Sequence, residues 1–237
     1  MFFYLYDAVV LDKKYSSLLD RVESRVIELG INGRVERLSP LRNLKELISQ
    51  AVKSDAHTIV VFGSDSTFLH AMQVVAHHDI TLGFLPFGES QLGPLFGMLD
   101  PVEGCNNLSR RITKQLSLGK ANQTFFLSVV TAQLPRGTRL RCNDQWTVVT
   151  QADTTECTLL NTGLLEVTLQ PQLAAKGFLR KATPAHSTKL TVTKVHLEHP
   201  DNILPVLLDH TTTLKTPITF SIKPKAIKVI VGKYRQV

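Results

Sequence analysis

The sequence predicts an α/β fold followed by a β-rich fold: a parallel-sheet α/β domain over residues 1–122 and an antiparallel sandwich domain over residues 123–237. The 237-residue length, against a typical domain of ~150 residues, allows between one and two domains. The first half alternates short apolar runs with helical periodicity, which is typical of a parallel sheet flanked by helices. Threonine, which favours strands, occurs 4 times in residues 1–120 and 19 times in residues 121–237.

The first elements follow from apolar spacing. Residues 2–6 form an apolar run that predicts a strand, and Gly30 supplies the end of the helix that follows it. Ser39 can cap a second helix, and Pro40 suits its first position. The buried stripe of the first helix consists of Leu18, Leu19, Val22, Val26 and Leu29, and that of the second of Leu41, Leu44, Ile48 and Val52.

Two further strands flank a polar turn. Residues 58–62 and 80–85 are apolar runs of the kind buried in a parallel sheet, and residues 63–67 connect the first of them to a helix. Helices are predicted over about 91–99 and 101–115. From Phe125 onward, strands recur at a spacing of roughly 8 to 12 residues, as in sandwiches and barrels.

The turn at residues 63–67 is the first candidate ligand site. Ligands of open parallel sheets bind at the carboxyl ends of strands, and a helix N-terminus offers free N–H groups to a phosphate. Asp65 would oppose a bare phosphate unless it held a metal, a ribose hydroxyl or a proton. The alternative is that Asp65 or Ser66 only caps the helix. The candidate residues are Gly63, Ser64, Asp65, Ser66 and Thr67.

A second candidate turn follows the next strand. Gly88, Glu89 and Ser90 lie at the end of residues 80–85, and neighbouring parallel strands end at the same edge of a sheet. The two turns are therefore expected to face one crevice. Each turn alone is also an ordinary connection.

The order of these segments resembles the catalytic domain of diacylglycerol kinases and related bacterial lipid kinases, which shares its fold with NAD kinase. The family motifs Gly-Gly-Asp-Gly-Thr and Pro-x-Gly-Thr-Gly-Asn-Asp match residues 63–67 and 86–92. An NAD kinase is a disfavoured third possibility. The downstream segments that resemble the family, in the family's order, are residues 95–101, 116–122, 125–129, 162–167 and 206–210.

The resemblance implies transfer of the ATP γ-phosphate to a lipid hydroxyl, with Mg²⁺, nucleotide at the two turns and the acceptor between the domains. It also implies that Asp209 is the general base, because a carboxylate near an alcohol can accept its proton. The alternative is that Asp209 is only a turn residue beside His210.

Several motif positions depart from the family pattern. Ser64 and Ser66 replace glycines, and a side chain costs about 1 to 2 kcal/mol where the backbone needs a positive φ. Glu89 places a carboxylate where the family has a neutral hydroxyl. We therefore expect weak ATP binding, and a catalytically inactive pseudokinase that binds lipid, membrane or protein is the alternative to an active kinase.

Charge and cysteine content indicate which partners and which cellular compartment to expect. Residues 1–120 carry 13 basic and 13 acidic residues, whereas residues 121–237 carry 14 and 7, which accounts for the net charge of +7. Such a surface suits lipid or an anionic membrane, with a solvated basic face as the alternative and nucleic acid disfavoured. Three scattered cysteines and the absence of a signal-like or membrane-spanning segment favour a cytoplasmic protein, with peripheral membrane association and a homodimer left open. The basic strand-end cluster is Lys223, Lys225, Lys228 and Lys233.

Overall fold

A computed structural model describes residues 1–39, 43–172 and 186–237. Its contacts divide the chain into unit 1, residues 1–116 with 225–237, and unit 2, residues 117–224. The predicted division at residue 122 assigned the whole C-terminus to the second domain, whereas here the end of the chain returns to unit 1. No helix in the part that the structure describes is both long and apolar enough to span a membrane.

Unit 1 is a parallel sheet with helices, as the sequence predicted. The strands β1 (Phe2–Tyr6), β2 (Gly33–Arg37), β3 (Thr58–Gly63) and β4 (Thr81–Pro86) lie in the order β2-β1-β3-β4. β1, β3 and β4 are almost wholly buried, because both faces of a parallel sheet are covered. The helices are α1 (Ser16–Glu28), α2 (Leu44–Lys53), α3 (Asp65–Val75), α4 (Leu92–Phe96) and α5 (Pro101–Arg110).

Two helix boundaries differ from the prediction. The N-cap of α2 is Asn43, whose side chain accepts a hydrogen bond from the Lys45 amide at 2.9 Å, while Pro40 and Leu41 lie outside the described residues. The helix predicted over 101–115 ends at Arg110, since Arg111 takes a left-handed φ of 53° and strand β5 (Thr113–Ala121) begins soon after.

Unit 2 is antiparallel. One sheet has the order β12-β11-β10-β7-β14-β15, and in the other β16 is followed by β13, β8 and β9. The last residues of β16 pair in parallel with β4, which is why the C-terminus joins unit 1. The ranges are β6 (Thr124–Phe126), β7 (Val129–Pro135), β8 (Arg139–Cys142), β9 (Trp146–Val149), β10 (Thr154–Asn161), β11 (Leu165–Gln172), β12 (Thr188–Val192), β13 (Lys194–Glu198), β14 (Pro205–Leu208), β15 (Thr212–Lys215) and β16 (Ile218–Ile230).

The core of unit 2 is formed by alternate residues of its strands. Strand β10 shows the pattern, since Thr155, Cys157 and Leu159 are buried while their neighbours are partly exposed. The predicted fold class, an α/β part followed by an antiparallel β part, is therefore confirmed.

Candidate functional site

The turn after β3 is closed by its own hydroxyl groups. Ser64 is the N-cap of α3, and its Oγ accepts a hydrogen bond from the Thr67 amide at 3.3 Å. The Ser64 and Thr67 hydroxyls also lie 3.1 Å apart. The cap is therefore Ser64 rather than Asp65 or Ser66. The Ser66 side chain is half-buried and makes no hydrogen bond within the part of the chain that the structure describes.

Asp7, directly after β1, holds this turn from the neighbouring strand. Its Oδ2 accepts hydrogen bonds from the Ser64 amide at 3.4 Å, the Ser64 hydroxyl at 3.1 Å and the Thr67 hydroxyl at 2.5 Å. Burial acts to raise the pKa of Asp7, but these hydrogen bonds outweigh it and place the pKa below its ordinary value. A Cβ on Gly63 would lie 2.5 Å from the Asp7 Cβ, so the glycine is required by this contact.

Asp65 links the two candidate turns. One oxygen of its carboxylate accepts a hydrogen bond from the Ser90 hydroxyl at 2.5 Å, and the other accepts bonds from the Gln91 and Leu92 amides at 2.8 and 3.2 Å. The Ser90 Oγ in turn accepts a bond from the Gly93 amide at 2.8 Å. The structure therefore brings the two predicted turns together at one edge of the sheet, with Asp65 between them.

The rest of the second turn is exposed. Gly88 has a φ of 75°, which a side chain would strain, and the Glu89 carboxylate lies at the surface. Beside the turn, the Phe87 amide donates to the Gly63 carbonyl at 2.9 Å. The Phe87 ring packs edge-on against Tyr15, with centroids 4.5 Å apart.

The occupied donors and the carboxylates at the two turns fit a nucleotide triphosphate and Mg²⁺ poorly. A phosphate at the turns would need free N–H and O–H donors, and those of Ser64, Gln91 and Leu92 already donate to carboxylates. Asp7, Asp65 and Glu89 add negative charge that would repel phosphate.

Asp209 lies in unit 2, in the turn between β14 and β15, with a φ of 44°. Its Oδ1 accepts hydrogen bonds from the Ser128 amide at 2.8 Å, the Ser128 hydroxyl at 3.0 Å and the Val129 amide at 3.0 Å. Its Oδ2 accepts a bond from the Leu127 amide at 2.6 Å. These contacts give Asp209 a structural role in holding the bend at residues 127–129, and its role as a base stays a prediction.

No protein-family model matches the chain, and no curated protein matches it in sequence. A solved diacylglycerol kinase of Bacillus anthracis superposes with a TM-score of 0.79 over 98% of this chain and 97% of that one, at 13% identity. A putative diacylglycerol kinase of the same organism superposes with a TM-score of 0.80 over 98% and 96%, also at 13% identity.

The chain has the fold of bacterial diacylglycerol kinases. The resemblance that the motif order predicted is thus confirmed for the fold over almost the whole chain. At 13% identity, the structural likeness shows the fold alone. The chemistry of the site has to be argued from the residues of this chain.

The sequence prediction missed Asp7 as a site residue. Asp7 directly follows the apolar run at residues 2–6 in the sequence. The available signal was an acidic residue directly after a buried strand, at the same sheet edge as residues 63–67.

Proposed function

We propose that this protein is a lipid-kinase-like protein that has lost phosphoryl transfer and acts as a binding module for lipid or an anionic membrane surface. The supporting observation is that Asp7 and Asp65 occupy the donors at the ends of β1, β3 and β4. A nucleotide bound at these turns would have to compete with the two carboxylates for the same donors.

A nucleotide would compete with Asp7 and Asp65 for these donors. A hydrogen bond to a charged group contributes about 1.5 to 3 kcal/mol, so a nucleotide would have to displace several bonds before it formed its own. The displaced Asp7 and Asp65 would then lie as free carboxylates beside the phosphates. Both effects lower ATP affinity, and neither depends on the identity of the acceptor.

The interior of unit 2 also opposes an enclosed acyl chain. A cavity between its sheets, lined by residues such as Val130, Leu159 and Phe220, offers about 10 Å³. A single water requires about 10 to 15 Å³ by the same kind of measure, so this cavity does not hold a hydrocarbon chain. Contact with lipid is therefore proposed at the surface of the protein.

The charge of the second half supports an anionic partner. Residues 121–237 carry 14 basic against 7 acidic residues. A lysine or arginine close to an anionic membrane contributes about 1 kcal/mol, and the contribution is screened by salt. Binding through this charge should weaken as the ionic strength rises.

An active lipid kinase is the second candidate. Two observations favour it: the Asp65 and Ser66 amides at the start of α3 have no hydrogen-bond partner among the residues that the structure describes, and Gly88 keeps the positive φ of an open turn. In that case, two amides would contact a phosphate and Asp209 would accept the proton of the acceptor alcohol.

The two candidates differ in a transfer assay. The protein is incubated with γ-labelled ATP, Mg²⁺ and vesicles that contain anionic lipid together with diacylglycerol or a sphingoid base. Our proposal predicts no labelled lipid and salt-sensitive co-sedimentation with the vesicles. Labelled lipid that depends on Asp209, as shown by its loss in a folded Asp209→Asn variant, would establish the kinase instead. Failure to sediment would contradict the binding role.

A further inference from the structure

Charged side chains gather on the outer face of one sheet of unit 2. In strands β8 and β13, alternate residues such as Leu140 and Val195 are buried in the core. The residues between them therefore point away from the core. We call this surface the β8–β13 face, and its titratable residues on these two strands are Arg139, Arg141, Lys194, His196 and Glu198.

The strand register places these residues side by side. His196 lies opposite Arg141 of β8 on one side and opposite Thr219 of β16 on the other. Glu198 lies opposite Arg139. Directly opposed residues have Cβ atoms about 5 Å apart, and alternate residues of one strand are about 7 Å apart. The charges are therefore confined to one small area of the sheet.

The acidic groups on or beside this face already have basic neighbours. The Lys194 Nζ lies 2.7 Å from the Oδ2 of Asp144, in the turn between β8 and β9. The His196 Nε2 lies 3.5 Å from the Oε2 of Glu198. Among the residues that the structure describes, neither carboxylate forms an ion pair with an arginine of β8.

Arg139 and Arg141 are therefore left without an anionic partner. Both residues are exposed, and neither guanidinium group forms a hydrogen bond or an ion pair within the described part of the chain. The pKa of Asp144 lies below its ordinary value, chiefly because Lys194 donates a hydrogen bond to it, and the charge of Arg141 lowers it further. The face thus has a positive potential and two cations that are available to an external anion.

The outer face of the other sheet of unit 2 has no such excess of charge. The charged residues that point outward from its described strands are Lys189 and Lys215 against Glu156 and Glu166. The two lysines are balanced by the two glutamates. Of these two outer surfaces, the β8–β13 face is therefore the one that is complementary to an anionic partner.

Exposed apolar residues border the two arginines. Val149 of β9 lies opposite Arg139 and is 41% exposed, and Trp146 at the other end of β9 is 40% exposed. Basic residues beside tryptophan and aliphatic side chains are typical of surfaces that lie in a membrane interface. This combination favours a lipid surface over a purely electrostatic partner such as nucleic acid.

We propose that the β8–β13 face docks on an anionic phospholipid membrane and that Arg139 and Arg141 bind the lipid phosphates. A guanidinium group presents paired N–H donors that match the oxygens of a phosphate. Side chains on one face of a sheet project in one layer, so both arginines and Val149 reach a flat bilayer together. The inference rests on the proposed function and adds to it the surface and the residues responsible.

Co-sedimentation with phosphatidylcholine vesicles that contain phosphatidylglycerol tests the proposal. The Arg139→Gln/Arg141→Gln double variant should bind about 30-fold more weakly than the wild type, because each lost charge weakens attachment. Lys189→Gln/Lys215→Gln is the matched control, since it removes two positive charges from the other outer face, where salt screens charges beyond about 10 Å. The control should bind as the wild type does. All four substituted residues are exposed, so thermal melts should show both variants folded.

Trp146 supplies a second readout that needs no variant, because it is the single tryptophan of the chain. Its emission should shift to shorter wavelength when anionic vesicles are added and stay unchanged with phosphatidylcholine alone. Wild-type protein that sediments with anionic vesicles without this shift would overturn the proposal.

The outcomes also separate this inference from the proposed function. Failure of the wild type to sediment would contradict the proposed function and this inference with it. Binding that the arginine substitutions leave unchanged would overturn this inference alone. So would equal weakening of both double variants, because net charge rather than one face would then be responsible. Displacement from the vesicles by inorganic phosphate, but not by chloride of equal ionic strength, would overturn it in favour of a site for free phosphate.

Discussion

Carboxylates hold loops together in both units, but they do so at different places. In unit 1, Asp7 and Asp65 each join one loop to a second loop at the carboxyl edge of a parallel sheet. In unit 2, Asp209 holds one bend through three amides and a hydroxyl. The first edge is where open parallel sheets bind ligands, so we propose that the same interaction has a functional consequence there as well as a structural one.

The largest expected effect is at Asp209. Replacement by Asn keeps the left-handed backbone but turns an N–H₂ group toward amide donors, so we expect the free energy of unfolding to fall by about 2 kcal/mol. Urea denaturation measures it. Asp201→Asn, at an exposed turn of the same unit, is the control. An unchanged midpoint would mean that the Asp209 carboxylate is not held as described.

Asp65→Asn should have a smaller effect, because this carboxylate is half-buried and its donors can reach water. We expect a loss of about 1 kcal/mol in the free energy of unfolding. Glu89→Gln removes an exposed charge from the adjoining turn and should leave stability unchanged. Equal effects of the two substitutions would contradict a specific link through Asp65.

The contribution of Asp7 should depend on pH. Its pKa is lowered in the folded state from an ordinary value of 3.8, so its stabilisation is fully present above that value and is lost as the pH falls through the folded pKa. Thermal melts of the wild type and Asp7→Asn should therefore differ most near neutral pH and converge in acid. A difference that persists unchanged in acid would contradict this account.

Restoring the family residues should change ATP affinity rather than stability. The triple variant Ser64→Gly, Ser66→Gly and Glu89→Thr removes the hydrogen bond from the Ser64 hydroxyl to Asp7 and removes one negative charge. We expect ATP affinity to rise about tenfold, or ~1.4 kcal/mol, by calorimetry. If affinity does not change, the three residues are not what weakens binding.

The strands of unit 1 could be predicted because burial on both faces demands continuous apolar runs. Residues 58–62 and 80–85 have this character and form β3 and β4. The helix predicted to reach residue 115 was wrong, since a left-handed Arg111 is not a position that composition reveals. Asn43 and Ser39 are both good caps, and sequence alone does not choose between them.

The site was predicted only in part for the same physical reason. The turns at residues 63–67 and 88–90 are local and visible in the motifs. The links that decide their chemistry join residues far apart in the chain: Asp7 with Thr67, and Asp65 with Ser90. Such contacts depend on strand register. The return of the C-terminus to unit 1 also depends on long-range pairing, of Lys228 with Thr81 and of Val229 with Leu82.

We propose that Asp7 and Asp65 occupy hydrogen-bond donors that a nucleotide would require at the ends of β1, β3 and β4. Titration of the wild-type protein with ATP and Mg²⁺ by calorimetry tests it most directly. We predict no saturation below about 1 mM, which corresponds to a binding free energy weaker than about −4 kcal/mol. Submicromolar binding of ATP would contradict the claim.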